Sequence, residues 1–229
     1  MGWSVPTVAV VALLAAAQFV TNSWLQKKRT EAWRRVANEL GLSFRSRTSD
    51  VLNQCEGMKL FARGYRQKIT NAVSGDSGNH KITLADYQYQ HRHRSDDFND
   101  THGYKRGRTR YHTVCVLQSE SLDVPHFYLR PENALLDAIG SLLGGQDIDF
   151  NQDAAFSAAY VLQGDDEAAI RELFDADVRD YFARRASDGF QFEARGDTLA
   201  FRTQRRRDPS EAKQLMRGAL EIANLLAKK

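Results

Sequence analysis

From Val5 to Leu25 the chain carries no charged residue, and this run constrains the architecture more than any other feature. As a helix rising about 1.5 Å per residue it would extend roughly 31 Å, the thickness of the hydrocarbon core of a bilayer. Trp3 and Trp24 stand at its two ends, where indole rings favour the headgroup level, and Gln26-Lys27-Lys28-Arg29 follows, with Arg34 and Arg35 beyond. The expectation is a single transmembrane anchor with its basic flank over residues 1–29, with Trp3, Trp24, Lys27, Lys28 and Arg29 as interfacial residues. The positive-inside bias puts the N-terminus outside and the rest of the chain in the cytoplasm. A cleaved secretory signal is the competing reading, since Ala15-Ala16-Ala17 follows an apolar run, but no Lys or Arg precedes Val8 to supply the positive n-region. The segment is Ala-rich and interrupted by Gln18 and Thr21-Asn22-Ser23, so its insertion is only moderately driven. N-myristoylation is excluded because Pro6 stands where Ser or Thr is required.

The chain as a whole has four prolines, fifteen glycines and no repeat of fixed period, and its remaining 200 or so residues have the balance of an ordinary globular protein. In Thr30–Leu40, Trp33, Val36, Ala37 and Leu40 share one helical face and Gly41 is a natural stop. Strand-like runs follow at Leu42–Phe44, Lys59–Arg63, Lys68–Ser74, Lys81–Tyr89 and Tyr111–Leu117, with a turn signal at Gly75-Asp76-Ser77-Gly78. They predict an antiparallel meander. In Lys81–Tyr89 the apolar parity shifts between Ile82/Leu84 and Tyr87/Tyr89, which predicts either a bulge near Ala85-Asp86 or a strand buried on both faces. The polar stretch His91–Arg110 is expected to be a mobile hairpin loop.

After Leu129 the pattern turns helical, at Pro131–Leu143 and at Asp165–Ala186 with a break near Asp175-Ala176-Asp177. Phe190–Ala194 and Leu199–Phe201 alternate around the turn Arg195-Gly196-Asp197 and predict a hairpin. Asp208-Pro209-Ser210-Glu211 is a capping sequence for a last amphipathic helix. Strands gathered in one region and helices in another give an α+β class: an N-terminal transmembrane helix, then antiparallel sheet with packed helices. The divisions are 1–29, then 30–130 with the meander and its loop, then 131–229 with the helical segment, hairpin and final helix.

At Phe127-Tyr-Leu-Arg-Pro-Glu-Asn133, at Gln146-Asp-Ile-Asp-Phe150 and from Phe156 through Tyr160-Val-Leu-Gln-Gly164 to Glu167, the chain resembles an uncharacterised family of bacterial single-pass membrane-anchored proteins. The likeness runs from about Arg34 to Leu226. It implies a bacterial inner-membrane setting and carries no activity, cofactor or catalytic residue.

Charge divides the chain: residues 1–115 hold 18 Lys and Arg against 9 acids, residues 116–229 hold 14 against 20. Two readings stay open, mutual attraction of the halves and a basic first half lying against anionic lipid.

Several constellations bear on chemistry. His91-Arg-His93, with His102 and His112, is the foremost metal candidate, opposed by the cations Arg92 and Arg94. Asp147-Ile-Asp149 with Asp153 has the alternation of a metal-phosphate motif without a preceding buried strand, and Asp165-Asp166-Glu167 fits a helix N-terminus. Ser210 and Lys213 have the spacing of a Ser/Lys pair on an exposed capped helix. Cys55 and Cys115 suggest free thiols in a reducing compartment, a single disulfide being the alternative. No nucleophile elbow or dinucleotide fingerprint is present, so no catalytic residue, metal or cofactor is assigned. Lys105–Arg110, Arg205-Arg206-Arg207 and the interleaved tyrosines would serve nucleic acid, against which the small net charge and acidic centre weigh.

The expectation is a non-catalytic, membrane-tethered interaction module facing the cytoplasm, its partners the bilayer and a protein. Its contact surface is expected at His91, Arg92, His93, Arg94, Arg106, Arg108 and Arg110, and at Arg130, Glu132 and Asn133. The alternatives are a metal-dependent hydrolase, or a basic surface for anionic lipid or nucleic acid.

Overall fold

The computed structural model describes residues 5–94, 104–132, 147–150 and 152–227. It opens with a continuous helix, α1 (Val5–Glu39), about 52 Å long at 1.5 Å per residue. No break separates the predicted anchor from the predicted Thr30–Leu40 helix. Gly41, at φ +68°, ends it: the Leu42 N–H donates to Ala37 O at 2.8 Å and the Gly41 N–H to Asn38 O at 3.3 Å, a Schellman closure. Among the described residues no helix is long and apolar enough to cross a membrane. Trp3 lies outside the described residues.

The chain then alternates strands and short helices: β1 (Ser43–Thr48), α2 (Asp50–Gln54), β2 (Tyr65–Ser77), β3 (His80–Arg94), β4 (Tyr104–Ser119), β5 (Val124–Pro131), α3 (Ala154–Ala159), β6 (Tyr160–Gly164), α4 (Glu167–Leu173), α5 (Ala176–Arg184), β7 (Gln191–Gly196), β8 (Thr198–Arg202) and α6 (Ala212–Leu226). All eight strands form one antiparallel sheet in the order β1-β2-β3-β4-β8-β7-β5-β6. The fold is α+β. Strands from both sides of the 130/131 division share this sheet, because the β7–β8 hairpin inserts between β4 and β5.

Both faces of the sheet are covered. On one, Val73, Leu84, Leu117, Phe127, Phe192 and Phe201 pack against Trp33 and Ala37 of α1, Phe174, Val178 and Phe182 around α4 and α5, and the stripe Leu215, Met216, Ala219, Ile222 of α6. On the other, Ile69, Ala85, Tyr87, Tyr89, Val114, Val116 and Tyr128 are capped by Val51, Cys55, Met58, Leu60 and Phe61. The parity shift in β3 is thus two-sided burial. Its pairing with β4 runs unbroken from His80 to Gln90, and the irregularity lies on β2, between Thr70 and Val73.

Three expectations need correction. Lys59–Arg63, read as a strand, is a turn segment lying on the second face. Much of the stretch read as a loop at His91–Arg110 is ladder, since Arg92 pairs with Arg106, His93 with Lys105 and Arg94 with Tyr104. A Cβ at Gly107 would clash with the His91 carbonyl, so the ribbon is tightly apposed there. Pro131 closes β5 instead of opening a helix; the rest of the helix expected at Pro131–Leu143 falls, beyond Glu132, outside the described residues.

The later elements follow their sequence signals. Asp166 caps α4 by accepting the Ala169 N–H at 3.0 Å, and Asp175 caps α5 by accepting that of Val178 at 3.0 Å. At α6, Asp208 accepts the Ser210 N–H at 2.9 Å and Glu211 the Asp208 N–H at 3.0 Å, a reciprocal capping box around a leading 3-10 turn.

Candidate functional site

The most heavily built polar structure is the seat of α1 on the sheet. Trp33 and Ala37 are fully buried, and Arg29, one turn earlier on the same face, enters the domain with them. Its guanidinium grips the Asp86 carboxylate with Nε at 2.7 Å and Nη2 at 2.6 Å, and Nη2 also donates to the Arg207 carbonyl at 2.8 Å. Asp86 is completely buried on β3 and accepts a third hydrogen bond from Asn71 Nδ2 at 2.9 Å. Asn71 reaches it from the β2 irregularity, where its φ of +53° is a conformation that asparagine tolerates better than most residues.

Residues 203–207 cross this seat. Thr203 Oγ1 accepts the Thr113 N–H at 3.0 Å, and Thr113 Oγ1 accepts the Arg207 N–H at 2.9 Å. Arg206 then sits with Nε 3.9 Å from Asp86 and its guanidinium 4.3 Å from the centre of the Tyr111 ring. Burial lowers the Arg206 pKa, and Asp86 opposes that shift. Two basic runs distant in sequence therefore meet over one buried carboxylate.

Beside the seat, between α1 and the sheet, opens a cleft of about 680 Å³. α1 lines it from Phe19 to Thr30, β1 through Ser46 and Arg47, β2 through Lys68 and Thr70, and Tyr111 and Arg206 from beyond. Its lining includes four cations, Lys27, Arg47, Lys68 and Arg206, and no carboxylate.

The expected contact residues fall in two places. His91 is half-buried against Tyr89, and Arg108 and Arg110 are exposed on β4. Arg92, His93, Arg94 and Arg106 belong to the paired ribbon, and their side chains lie outside the described set. Arg130 is half-buried on β5 with Nη1 3.5 Å from the Pro131 carbonyl, Glu132 is exposed, and Asn133 lies outside the described residues. β8 and β7 stand between β4 and β5, a separation of about 14 Å at ordinary strand spacing, so the two groups are not one site. Of the expected anchor residues, Trp24, Lys27 and Lys28 are exposed, with the Lys28 ammonium 3.8 Å from the Trp24 ring centre, whereas Arg29 turns inward.

The metal candidates are committed elsewhere. His112 is buried on the second face, its Nδ1 2.8 Å from the Thr203 carbonyl and its ring stacked on Tyr89 at 5.5 Å. Burial, then the nearby Arg202 cation, pushes its pKa down to about 4, so it is neutral at pH 7. Asp147 accepts from Gln163, Asp153 caps α3 and pairs with Arg179, and Glu167 pairs with Arg171. Asp153 is held below the usual carboxylate range by the Phe156 N–H and by Arg179. The Ser210 hydroxyl is taken by Asp208. Among the described residues no group of three or more His, Cys, Asp or Glu could hold a metal ion. Cys55 and Cys115 are free and buried on opposite faces, with burial pushing the Cys55 thiol up to about 12.

Sequence reasoning missed Asp86 and Glu193. Glu193, fully buried on β7, accepts the N–H groups of Lys59 and Leu60 at 2.8 Å each and lies 2.9 Å from His126 Nε2, while His126 Nδ1 lies 2.8 Å from Asp165. With Arg202, which donates to the Leu60 carbonyl at 2.7 Å, this pins the cap of the second face. The signal was present for Asp86, an acid on the same strand parity as Ile82 and Leu84; Glu193 stands where the alternation of Phe190, Phe192 and Ala194 places a polar residue, so nothing local marked it as buried.

No family model matches the chain, and no curated protein matches it. Its fold is similar to that in the crystal structure of the mycobacterial trehalose monomycolate transport factor A, TtfA, with a TM-score of 0.57 and 11% identity over 88% of this chain and 94% of that one. At that identity the likeness concerns the fold alone.

Proposed function

We propose that this protein is a non-catalytic, membrane-tethered interaction module of a bacterial inner membrane, held by the outer half of α1 with the sheet domain on the cytoplasmic side. One observation carries the reading. Of the large hydrophobic side chains exposed among the described residues, Val10, Leu13, Leu14, Phe19, Val20, Trp24 and Leu25 all lie on this half-helix, at 51–74% exposure, and Tyr111 alone lies elsewhere. Such a concentration marks an interaction surface. The uncharged run Val5–Leu25 has the length for hydrocarbon, and the exposed Lys27, Lys28, Arg34 and Arg35 directly after it favour the cytoplasmic side. Its alanines, Gln18 and Thr21-Asn22-Ser23 keep its hydropathy modest, so partner helices would help to hold it.

The test is alkaline carbonate extraction of native membranes. The full chain is expected in the pellet, and Leu14→Arg with Phe19→Arg in the supernatant; wild-type protein released by carbonate would overturn the anchor. Both native thiols are buried, so Glu120→Cys provides an exposed label for a membrane-impermeant maleimide. Labelling only after the cells are opened supports the cytoplasmic side, and labelling of intact cells reverses it.

A further inference from the structure

The cleft between α1 and the sheet is basic, polar and placed where α1 leaves its apolar run. We propose that it binds a phosphate group carried by an anionic lipid headgroup. Three observations combine. Lys27, Arg47 and Lys68 converge on it from α1, β1 and β2 and its lining holds no carboxylate to neutralise them, while Arg206, behind them, is balanced by Asp86 of the seat. Lys27, Arg47 and Lys68 form no ion pair among the described residues. The Arg206 guanidinium lies 4.3 Å from the centre of the Tyr111 ring with Nη1 3.4 Å from Gln26 Oε1, closing the inner wall of the cleft with further polar groups. Guanidinium and ammonium groups together suit a phosphate, which takes a planar fork and point charges at once.

The position selects the source. α1 lines the cleft from Phe19 to Thr30, spanning the last turns of the uncharged run and the first cations. If the outer half of α1 lies in the bilayer, as proposed above and on which this step rests, Trp24 marks the interface and the cleft opens at headgroup depth. Phosphate oxygens would meet the cations there, while the acyl chains run along the exposed Phe19 side of the helix. Arg47 and Lys68 are the selective elements, being exposed strand residues uninvolved in the Arg29–Asp86 seat.

Full-length protein is placed in phosphatidylcholine nanodiscs containing a minority of phosphatidylglycerol, and the lipids retained on release are counted by native mass spectrometry. In parallel, detergent-solubilised protein is titrated with inorganic phosphate and its thermal midpoint followed. The expected result is phosphatidylglycerol enriched about tenfold over its share of the bilayer, and enrichment lost in Arg47→Glu/Lys68→Glu. Far-UV circular dichroism of that variant should match the wild type. A phosphate-induced stabilisation abolished by the same variant, without lipid enrichment, supports the phosphate site and assigns its source to free phosphate. Enrichment that persists in the double variant overturns the proposal, as does insertion with neither enrichment nor a phosphate response. Protein that fails to enter nanodiscs refutes the anchor instead, and the phosphate titration then decides the cleft alone.

Discussion

Between Val10 and Leu25, α1 leaves its large apolar side chains exposed, whereas between Arg29 and Glu39 the same helix buries Trp33 and Ala37 completely. The helical geometry is common to both halves; the arrangement of side chains differs. In the inner half, Arg29, Trp33 and Ala37 form one inward line at four-residue spacing, with Glu31, Arg34, Arg35, Asn38 and Glu39 exposed around it. The outer half has no charged residue to oppose its apolar side chains, which are interspersed with alanines and with Gln18 and Thr21-Asn22-Ser23. The sheet domain selects one stripe of α1; the large apolar side chains of the outer half are left exposed.

The largest effect should come from breaking the inner contact. Trp33→Ala is expected to cost about 3–5 kcal/mol by denaturant unfolding, because a fully enclosed ring leaves a void that a sheet and helix cannot close. Asp86→Ala should cost a similar ~3–5 kcal/mol by leaving the Arg29 and Arg206 cations uncompensated at the seat. Arg29→Met in the Asp86→Ala background should recover part of that loss, and a double-mutant cycle with no coupling would show the pair to be energetically idle.

The next effect separates the halves by pH. His112 is held at about 4 in the fold against an ordinary value of 6.5, so the unfolded chain takes up the proton first. Stability therefore rises with pH across that window, and acidification from 6.5 to 4 should remove about 3 kcal/mol. The difference between wild type and His112→Gln in denaturant titrations across that range isolates the contribution. Carbonate-resistant membrane retention should not follow it. The smallest effect belongs to the outer half: Leu14→Arg is expected to change domain unfolding by less than about 0.5 kcal/mol, since that side chain is 66% exposed. A larger change would mean that the outer half packs on the domain.

Local signals were legible and long-range ones were not. The capping box before α6, the β7–β8 hairpin and the break between α4 and α5 were readable because each is fixed by residues within one or two turns of each other. The ribbon at His91–Arg94 and Tyr104–Arg110 was read as a loop because it carries polar residues where a half-buried strand alternates; its register is held by the backbone ladder. The edge strand β6 was missed because five residues on the rim of a sheet, next to a short helix, have no room to display a period. As for the site, Lys27 and Lys28 were visible as a basic flank, but the convergence of Arg29 with Asp86 and Arg206 spans 57 and 120 positions of chain. No periodicity encodes such a meeting. The available hint was a cation on an apolar helix face and an acid on an apolar strand face, each out of place until the other is seen.

α1 also reaches Trp33 from Val5 without a hinge, a glycine or a proline after Pro6. A domain on a flexible tether sweeps a volume set by the length of its linker, and meets partners by wandering. Fixed to a rod, this domain would keep one height and one face toward the membrane plane, so its search would become two-dimensional and its partners would be filtered by where they stand above the lipid. Any tilt of the rod would turn the whole sheet with it, since Arg29, Trp33 and Ala37 transmit the motion with no slack between.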